Sequence, residues 1–268
     1  MTAREVTTGL VRACHPLPTV AVTALTAGLV VGADGTWGRG LLVVAAVLTG
    51  QLVIGWSNDL VDAERDRSVG RADKPVARGD VGVRTVRWAL VLATIATVVL
   101  SLAVSLPAAA LHLVLVVGSG LAYNLGLKAT AWSWVPYAVA FGALPAVAWV
   151  GSGSGAPPWW SVAVGALLGV GAHLLNVLPD LADDEQTGVR GLPHRLGERR
   201  TRFVAPLLLL SGSVIVVLAP PGGPSWWSAA VLLACAALAL VAWRARGSTP
   251  FVAAIALALV NVVALVIG

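Results

Sequence analysis

Nine long apolar runs restrict the fold of this sequence more than any other feature. They occupy residues 17–34, 40–61, 86–105, 108–127, 132–150, 159–179, 203–219, 226–243 and 250–267. A helix needs about 20 apolar residues to cross a bilayer, and each run is near that length. Only helices and closed barrels span a bilayer, and these runs lack the alternation of barrel strands. The sequence therefore predicts an all-α polytopic membrane protein, a bundle of nine transmembrane helices around a central cavity.

The composition supports the same prediction. Of the 268 residues, 57% are hydrophobic and only 12% are charged, which excludes a soluble domain of this length. The first run follows Arg4 and Arg12 like a signal sequence, but we interpret it as an uncleaved first helix because eight more runs follow. We expect one transmembrane domain over residues 1–268. Cys14 and Cys235 lie outside any metal-binding spacing, so no disulfide framework or zinc site is expected.

The basic residues fall almost entirely on one side of the predicted topology. The net charge is +5 and the pI about 10.0, values that in a soluble protein would suggest nucleic acid binding. Here 17 of the 18 Lys and Arg residues lie at the N-terminus or in connections on one side, and Arg39 is the exception. The positive-inside rule makes that side cytoplasmic. We therefore expect a cell-membrane protein with a cytoplasmic N-terminus, an external C-terminus and no nucleic acid partner.

Two rows of Asn and Asp stand at the cytoplasmic ends of the second and sixth runs, in WSNDLVDAERD and HLLNVLPDLADDEQTG. The first row is Asn58, Asp62 and Asp66, and the second row is Asn176, Asp180 and Asp184. Both have the spacing i, i+4, i+8, and residues at that spacing share one face of a helix. Each row also leads into a basic loop. The matching spacing predicts that the two rows face one shared chamber.

Facing carboxylates repel one another unless a cation lies between them. Mg²⁺ takes oxygen ligands and shares its coordination shell with substrate phosphates. One acidic run after a helix is usually only a solvated helix end, but two rows with one spacing on one side favour a shared magnesium site. We predict all six members of the rows as metal ligands and their four aspartates as catalytic residues. Ions held there would clamp a diphosphate and stabilise it as it leaves.

Basic residues close to the rows are candidates for binding the diphosphate. Arg71 and Lys74, in RSVGRADKPVARG, directly follow the first row. Arg forks match phosphate oxygens and Lys adds a point charge, although both residues also satisfy the positive-inside rule. Tyr123 and Lys128, in AYNLGLK, stand at the cytoplasmic end of the fourth run.

Three further polar residues are candidates for an acceptor or tail pocket. Gln51 lies two turns deeper than Asn58 on the same face, Asp59 is adjacent to Asn58, and His173 shares the face of the second row. Polar groups at membrane depth are functional candidates. A helical His more often makes an interhelical hydrogen bond, and that alternative stays open for His173.

The motif pair resembles the UbiA superfamily of intramembrane prenyltransferases. NDLVDAERD fits the pattern NDxxDxxxD, DLADD supplies DxxxD, and RADKPVARG lies between them. The resemblance covers nearly the whole chain and implies an all-helical, Mg²⁺-dependent enzyme that transfers a prenyl group from its diphosphate to an aromatic or other lipophilic acceptor. It also implies that the rows hold metal and that Arg71, Lys74, Tyr123 and Lys128 bind diphosphate. Asn176 replaces an acid of many relatives, and Lys128 is one basic residue where relatives often have two.

The resemblance implies ionisation of the prenyl diphosphate at the cytoplasmic side, with the tail among the helices. Loss of diphosphate leaves an allylic cation that must be kept from water. Aromatic faces stabilise such a cation, and the nearby candidates are Trp56, Trp132, Trp134, Tyr137 and Phe141. Two alternatives stay open: a membrane terpene cyclase without a separate acceptor, and a transporter or lipid-binding protein whose acids bind cations.

Overall fold

The computed structural model describes residues 2–71 and 73–267, and every regular element in these ranges is helical. The α-helices are α1 Ala3–Ala13, α2 Pro16–Gly32, α3 Trp37–Ser68, α4 Pro75–Arg78, α5 Val83–Val104, α6 Leu106–Ala110, α7 Gly118–Asn124, α8 Val135–Ser152, α9 Trp159–Val177, α10 Leu181–Gln186, α11 Leu192–Leu196, α12 Glu198–Leu218, α13 Ser228–Arg244 and α14 Thr249–Ile267. A π-helix, Leu111–Val117, joins α6 to α7. Leu127–Ala129 and Leu178–Asp180 form 3₁₀ turns.

The long helices fall where the sequence predicts membrane spans, but the number of nine is not confirmed. Within the described residues, seven helical segments are long and apolar enough to cross a bilayer. An eighth is obtained if α1 and α2, which meet at 65°, form one bent span. Helix α13 is apolar but has only 17 residues. The all-α fold of a multi-pass membrane protein is confirmed.

A short amphipathic helix, α1, precedes the first apolar helix and was not predicted from the sequence. Thr2 and Glu5 form a capping box at its start. At its far end the Trp56 indole donates a hydrogen bond to the Leu10 carbonyl at 2.9 Å, which fastens α1 to α3. The chain then turns through His15, whose φ of +56° is in the left-handed region. This turn places the His15 side chain beside the end of α3 that carries the first row.

The two rows differ in the backbone that carries them. Helix α3 continues unbroken to Ser68, so the first row lies on its last turns with the predicted helical spacing. Helix α9 ends at Val177, and a 3₁₀ turn separates it from α10. Pro179 accounts for this break because it has no backbone N–H to continue the helical ladder. The second row therefore lies on a helical segment, Trp159–Gln186, that is interrupted by a 3₁₀ turn, and its three members face the same space.

Close packing of α8 on α9 positions the residues between the rows and the membrane interior. A methyl group on Gly169 would stand 2.6 Å from the Tyr137 carbonyl oxygen and 2.7 Å from the Phe141 Cβ atom. Small residues allow helices in a membrane to approach this closely. One apolar core surrounds α9, α12 and α14, and another joins α2, α3 and α8. An apolar cavity remains between these helices, lined from α2, α3, α8, α9 and α14.

Candidate active site

Both rows line one polar cavity at the end of the helix bundle. The predicted site residues on its wall are Asn58, Asp62, Arg71, Lys74, Tyr123, Lys128, His173, Asn176, Asp180 and Asp184. Asp59 and Asp66 are buried behind this wall, and Gln51 lines the apolar cavity instead. The structure therefore brings together five of the six members of the rows and all four of the predicted diphosphate-binding residues.

The Asp62 carboxylate is the most heavily paired group of the first row. The Lys128 ammonium donates to both of its oxygens, and Arg65 Nη2 lies 3.2 Å from Oδ2. Asn58 Nδ2 donates to the same oxygen at 3.0 Å. Burial lowers the pKa of Lys128, while the Asp62 carboxylate acts in the opposite direction.

Asn124 fixes the orientation of Asn58. Its amide nitrogen donates to the Ser57 hydroxyl at 2.8 Å and to the Ile54 carbonyl at 2.9 Å. The Asn124 Oδ1 atom is left to accept from Asn58 Nδ2, at 3.2 Å. Asn58 therefore points its amide nitrogen at Asn124 and Asp62. Its amide oxygen accepts from the Lys74 ammonium at 3.2 Å.

Lys74 is buried, and its ammonium is directed at three protein acceptors. It lies 3.2 Å from Asn58 Oδ1, 3.2 Å from Asp59 Oδ1 and 3.1 Å from His15 Nε2. An ammonium has three N–H donors, so these contacts use its full capacity. Although Lys74 lines the polar cavity, this geometry makes it an anchor that holds the basic loop against α3. Asp66, 2% exposed, lies 3.9 Å from the same ammonium, and its Oδ2 atom has no hydrogen-bond partner within residues 2–71 and 73–267.

Arg71 joins the basic loop to the second row. Its guanidinium lies 3.1 Å from Asp180 and makes two hydrogen bonds of 2.9 Å with Asp73, one to each carboxylate oxygen. The hydrogen bonds from Arg71 lower the pKa of Asp73 to about 2, and those same bonds raise the pKa of Arg71. Asp73 was not predicted as a site residue, although it stands within the RADKPVARG segment.

Asp184, the last member of the second row, lies between Arg65 and His194. Its carboxylate oxygens are 3.9 Å from Arg65 Nη2 and 3.8 Å from His194 Nε2. The His194 side chain is 6% exposed, and neither of its ring nitrogens has a hydrogen-bond partner among the described residues. Burial lowers the pKa of His194, which favours the neutral imidazole.

The polar cavity continues into the apolar cavity. His15, Asn58, Tyr123 and Asn176 line both. At the junction the Tyr123 ring meets Tyr137 edge-on, with 5.3 Å between centroids, and the tilted His173 ring lies 4.7 Å from Tyr137. His173 also shares a hydrogen bond with the Ser133 hydroxyl at 3.1 Å, so the interhelical bond expected of such a His is present.

Aromatic side chains supply faces to the apolar cavity, but fewer than the sequence suggested. Tyr137 and Phe141 line it, together with Tyr123. Trp56 is turned toward α1, and Trp132 is 63% exposed at the bundle surface. Trp134 does not line either cavity. None of these three indoles therefore faces the apolar cavity: Trp56 packs between α3 and α1, and Trp132 and Trp134 lie in the turn before α8.

The donor atoms of the polar cavity suit a hard divalent cation. Carboxylate and amide oxygens from two helices converge there, and Asp66 Oδ2, behind the wall, has no hydrogen-bond partner among the described residues. As the side chains stand, however, no group of three His, Cys, Asp or Glu residues within 2–71 and 73–267 is close enough to hold a metal ion. Each carboxylate of the rows instead contacts a Lys or Arg.

Comparison with known proteins decides the family. A sequence model described as the UbiA prenyltransferase family matches residues 17–265. The chain belongs to the UbiA prenyltransferase family. No curated protein sequence matches it significantly.

Solved UbiA homologues share the fold. A homologue from Archaeoglobus fulgidus bound to GPP and Mg²⁺ is 14% identical, with a TM-score of 0.74, over 97% of this chain and 100% of the other. An apo homologue from Aeropyrum pernix K1 is 18% identical, with a TM-score of 0.76, over 92% and 97%. A digeranylgeranylglyceryl phosphate synthase is 15% identical, with a TM-score of 0.66, over 98% of each chain. At these identities the likeness establishes the fold alone.

Several residues of this UbiA-family site escaped prediction. Arg65 stands inside the first motif, and its spacing from Asp62 could have placed it on the row's face. Asp73 lies in a loop and His194 in the short helix α11, and no local pattern reveals where these segments fold. His15 reaches the site only because the chain turns sharply between α1 and α2. Each of these side chains lines the polar cavity.

Proposed function

We propose that this chain transfers a prenyl group from a prenyl diphosphate to an aromatic or other lipophilic acceptor within the membrane, with Mg²⁺ as cofactor. The observation that carries the proposal is the joined pair of cavities: a charged chamber between two Asn/Asp rows opens directly into an apolar one. A prenyl diphosphate has the same two halves in the same order. The family assignment and the homologue bound to GPP and Mg²⁺ support it.

The charged chamber takes the diphosphate. The oxygens of the two rows would hold Mg²⁺, which neutralises negative charge on the leaving diphosphate when bound. Arg71 and Lys128 line the chamber and direct cationic N–H groups into it. Their present partners are carboxylates, and a guanidinium fork binds a phosphate in the same manner. Tyr123, at the junction, contacts the end of the diphosphate nearest the tail.

The apolar cavity takes the prenyl tail. Its volume is about 220 Å³, and its wall includes Val22, Leu25, Leu144 and Leu168. Each buried CH₂ of the tail contributes about 0.8 kcal/mol. Gln51 lines the apolar cavity and His173 lines the polar cavity beside Tyr137 at the junction, where either can contact the acceptor. Asp59, sealed behind Lys74, has no access to substrate.

The reaction breaks the C–O bond between the prenyl group and the diphosphate, which leaves with the electron pair. The allylic carbon, held near the aromatic faces of Tyr123 and Tyr137, then bonds to the acceptor, which loses a proton. Cation–π attraction stabilises the positive carbon, and the apolar wall keeps water from it. We further propose that this chemistry takes place at the cytoplasmic side, with the N-terminus inside, the C-terminus outside and residues 1–268 as one domain, because 17 of the 18 basic residues lie on the side that carries the rows.

The experiment is Mg²⁺-dependent pyrophosphate release from a panel of prenyl diphosphates, with and without aromatic acceptors, by wild type and Asp62→Ala. Wild type should release pyrophosphate with an acceptor present, and Asp62→Ala should lose most of that rate. Asp80→Ala is the matched control, because Asp80 pairs with Arg12 and Arg78 away from the cavity. Cyclic products without any acceptor would show a terpene cyclase instead. Release by Asp62→Ala at the wild-type rate would refute the metal assignment.

A further inference from the structure

Arg65 lies between the two rows. Its Nη2 atom is 3.2 Å from Asp62, 3.6 Å from Asp66 and 3.9 Å from Asp184. The side chain is 23% exposed and lines the polar cavity. A single guanidinium nitrogen therefore lies within ion-pair distance of three carboxylates from two helical segments. This is the place where a cation shared by both rows would lie.

Each of the other cationic side chains of the site forms ion pairs with acids of only one of the two rows or their flanking residues. Lys128 pairs with Asp62, Lys74 with Asp59 and Asp66, and Arg71 with Asp73 and Asp180. Among the ion pairs of the described residues, those of Arg65 alone connect the first row to the second. The guanidinium thus offsets the mutual repulsion of the rows where they approach each other, because opposite charges at such distances in a half-buried site attract strongly.

We propose that Arg65 is a built-in counter-cation that occupies the place of a divalent ion between the rows while the site lacks substrate. This inference rests on the proposed function, because it describes how metal binding at the same site is regulated. A divalent ion that enters alone must compete with a guanidinium for Asp62, Asp66 and Asp184. The empty site therefore binds metal weakly.

Diphosphate removes this competition. A guanidinium binds phosphate oxygens as well as it binds carboxylates, so an incoming diphosphate gives Arg65 a new partner. Arg65 then turns from the rows to the anion, and the three carboxylates become available to Mg²⁺. Metal binding is thereby conditional on substrate, and the acids are never left facing one another without a positive charge.

The test titrates Mn²⁺ alone, by electron paramagnetic resonance, into the purified full chain in lipid nanodiscs. Wild type, Arg65→Gln, Arg65→Lys and Arg67→Gln are compared. Arg65→Gln keeps much of the side-chain length but removes the charge, and it should bind Mn²⁺ at least about tenfold more tightly, since one competing charge is lost. Arg65→Lys keeps the charge without the fork and should lie between Arg65→Gln and wild type.

Arg67→Gln is the matched control. Arg67 is two residues along α3, is exposed, and donates to the Ala77 carbonyl, not to an acid. Its variant should bind Mn²⁺ as wild type does. Unliganded Arg65→Gln should melt at a lower temperature than wild type, and added Mg²⁺ should raise its melting temperature more than it raises that of wild type. If Arg65→Gln does not fold, the ratio between Arg65→Lys and wild type decides the test.

The outcomes separate this inference from the proposed function. Equal or weaker Mn²⁺ binding by the Arg65 variants overturns the counter-cation, even if wild type turns over prenyl diphosphate. Tighter binding by those variants supports it, even if no prenyl diphosphate is ever turned over. Equal tightening in Arg67→Gln also overturns it, because a general loss of positive charge would then explain the effect.

Discussion

The first row and the second row carry the same residue types at the same spacing, yet they sit in different surroundings. Asp62 and Asp66 lie on an unbroken helix, 6% and 2% exposed, with buried lysines against them. Asp180 ends a 3₁₀ turn, Asp184 follows it, and the two are 36% and 16% exposed; Asp180 lies 3.1 Å from Arg71, and Asp184 lies 3.9 Å from Arg65 and 3.8 Å from His194. The first row is thus held in place before any ligand arrives, and the second row is held loosely.

The difference in exposure and pairing suggests that the first row and the second row have different roles in binding. A preorganised side sets the position of bound charge, and a loosely held side adjusts to substrate. Lys74, Asn124 and Lys128 make the first side rigid by hydrogen-bonding Asn58 and both carboxylate oxygens of Asp62. The second side depends on Arg71, which divides its donors between Asp73 and Asp180. Substitutions on the two sides should therefore have unequal effects.

The largest effect is expected from Lys74→Ala. It leaves Asp59, 1% exposed, as a buried carboxylate without its ammonium. Breaking a buried pair by removing one partner costs about 3–5 kcal/mol. The free energy of unfolding in mild detergent, measured by denaturant titration, should fall by that order. The double variant Lys74→Met, Asp59→Leu should recover most of the loss, because no buried charge remains.

The matched change on the second side is Arg71→Ala. Its partners Asp73 and Asp180 are both partly exposed and can be solvated, so the loss should be smaller than that of Lys74→Ala. Equal losses for the two variants would show that the rows are equally rigid, and the contrast drawn between them would be wrong.

The next effect concerns the orientation of the first row. Asn124→Leu removes the acceptor and the donors that fix Asn58 against α3. Loss of a group that orients a metal ligand typically costs about 10- to 100-fold in activity or metal affinity. Steady-state pyrophosphate release should show the loss in kcat and in the Mg²⁺ concentration needed for half-maximal rate. A variant with only a raised KM for prenyl diphosphate would contradict this positioning role.

Ser133→Ala tests the support of the second side. The buried Ser133 hydroxyl accepts from the Leu192 backbone N–H at 2.8 Å and shares a hydrogen bond with His173 at 3.1 Å. Its removal leaves buried polar groups without partners, at about 1–3 kcal/mol. Because Leu192 begins α11, limited proteolysis should cut the segment between α10 and α12 faster in the variant. Unchanged cleavage would mean that α11 is held by packing alone.

The sequence predicts the chemistry of this site better than its assembly. Apolar runs and the spacing of Asn58, Asp62 and Asp66 depend on local periodicity, which the folded helix preserves. The second row lines the polar cavity with the first, but a 3₁₀ turn at Pro179 interrupts its helix, and the spacing of its residues alone does not reveal that change in the backbone. Arg65 illustrates the limit in another way: its identity is visible in the motif, but its contact with Asp184 depends on how two distant helices pack.

Whether a side chain is free to bind a ligand is equally hard to predict from a sequence. Lys74 is predicted from the sequence to bind diphosphate, and the structure adds that three side chains of the protein already surround its ammonium. Trp56 is a candidate for stabilising a carbocation in the sequence, but in the structure its indole donates a hydrogen bond to the Leu10 carbonyl. Whether a side chain is available or already used depends on tertiary neighbours, and no local pattern records them.

The smallest effect is expected from Asp73→Asn. Asp73 is 61% exposed, so at pH 7 the loss of its pair with Arg71 should change the free energy of unfolding by less than about 1 kcal/mol. The pKa of Asp73 is lowered from 3.8 to about 2 in the fold, so the pair stabilises above about pH 4 and is lost as pH falls toward 2. The difference between wild type and Asp73→Asn should vanish across that window.

Asp73→Asn also tests, through its effect on substrate affinity, whether the second row is held more loosely than the first. Asp73 holds the fork of Arg71 in the way that a phosphate would, so it competes with diphosphate for this arginine. Asp73→Asn should therefore lower the KM for prenyl diphosphate while kcat stays near wild type. Because Asp73 is largely exposed and holds Arg71 only weakly, it should reduce the affinity of Arg71 for diphosphate without preventing binding. A raised KM would instead make Asp73 a guide that positions Arg71 for the substrate.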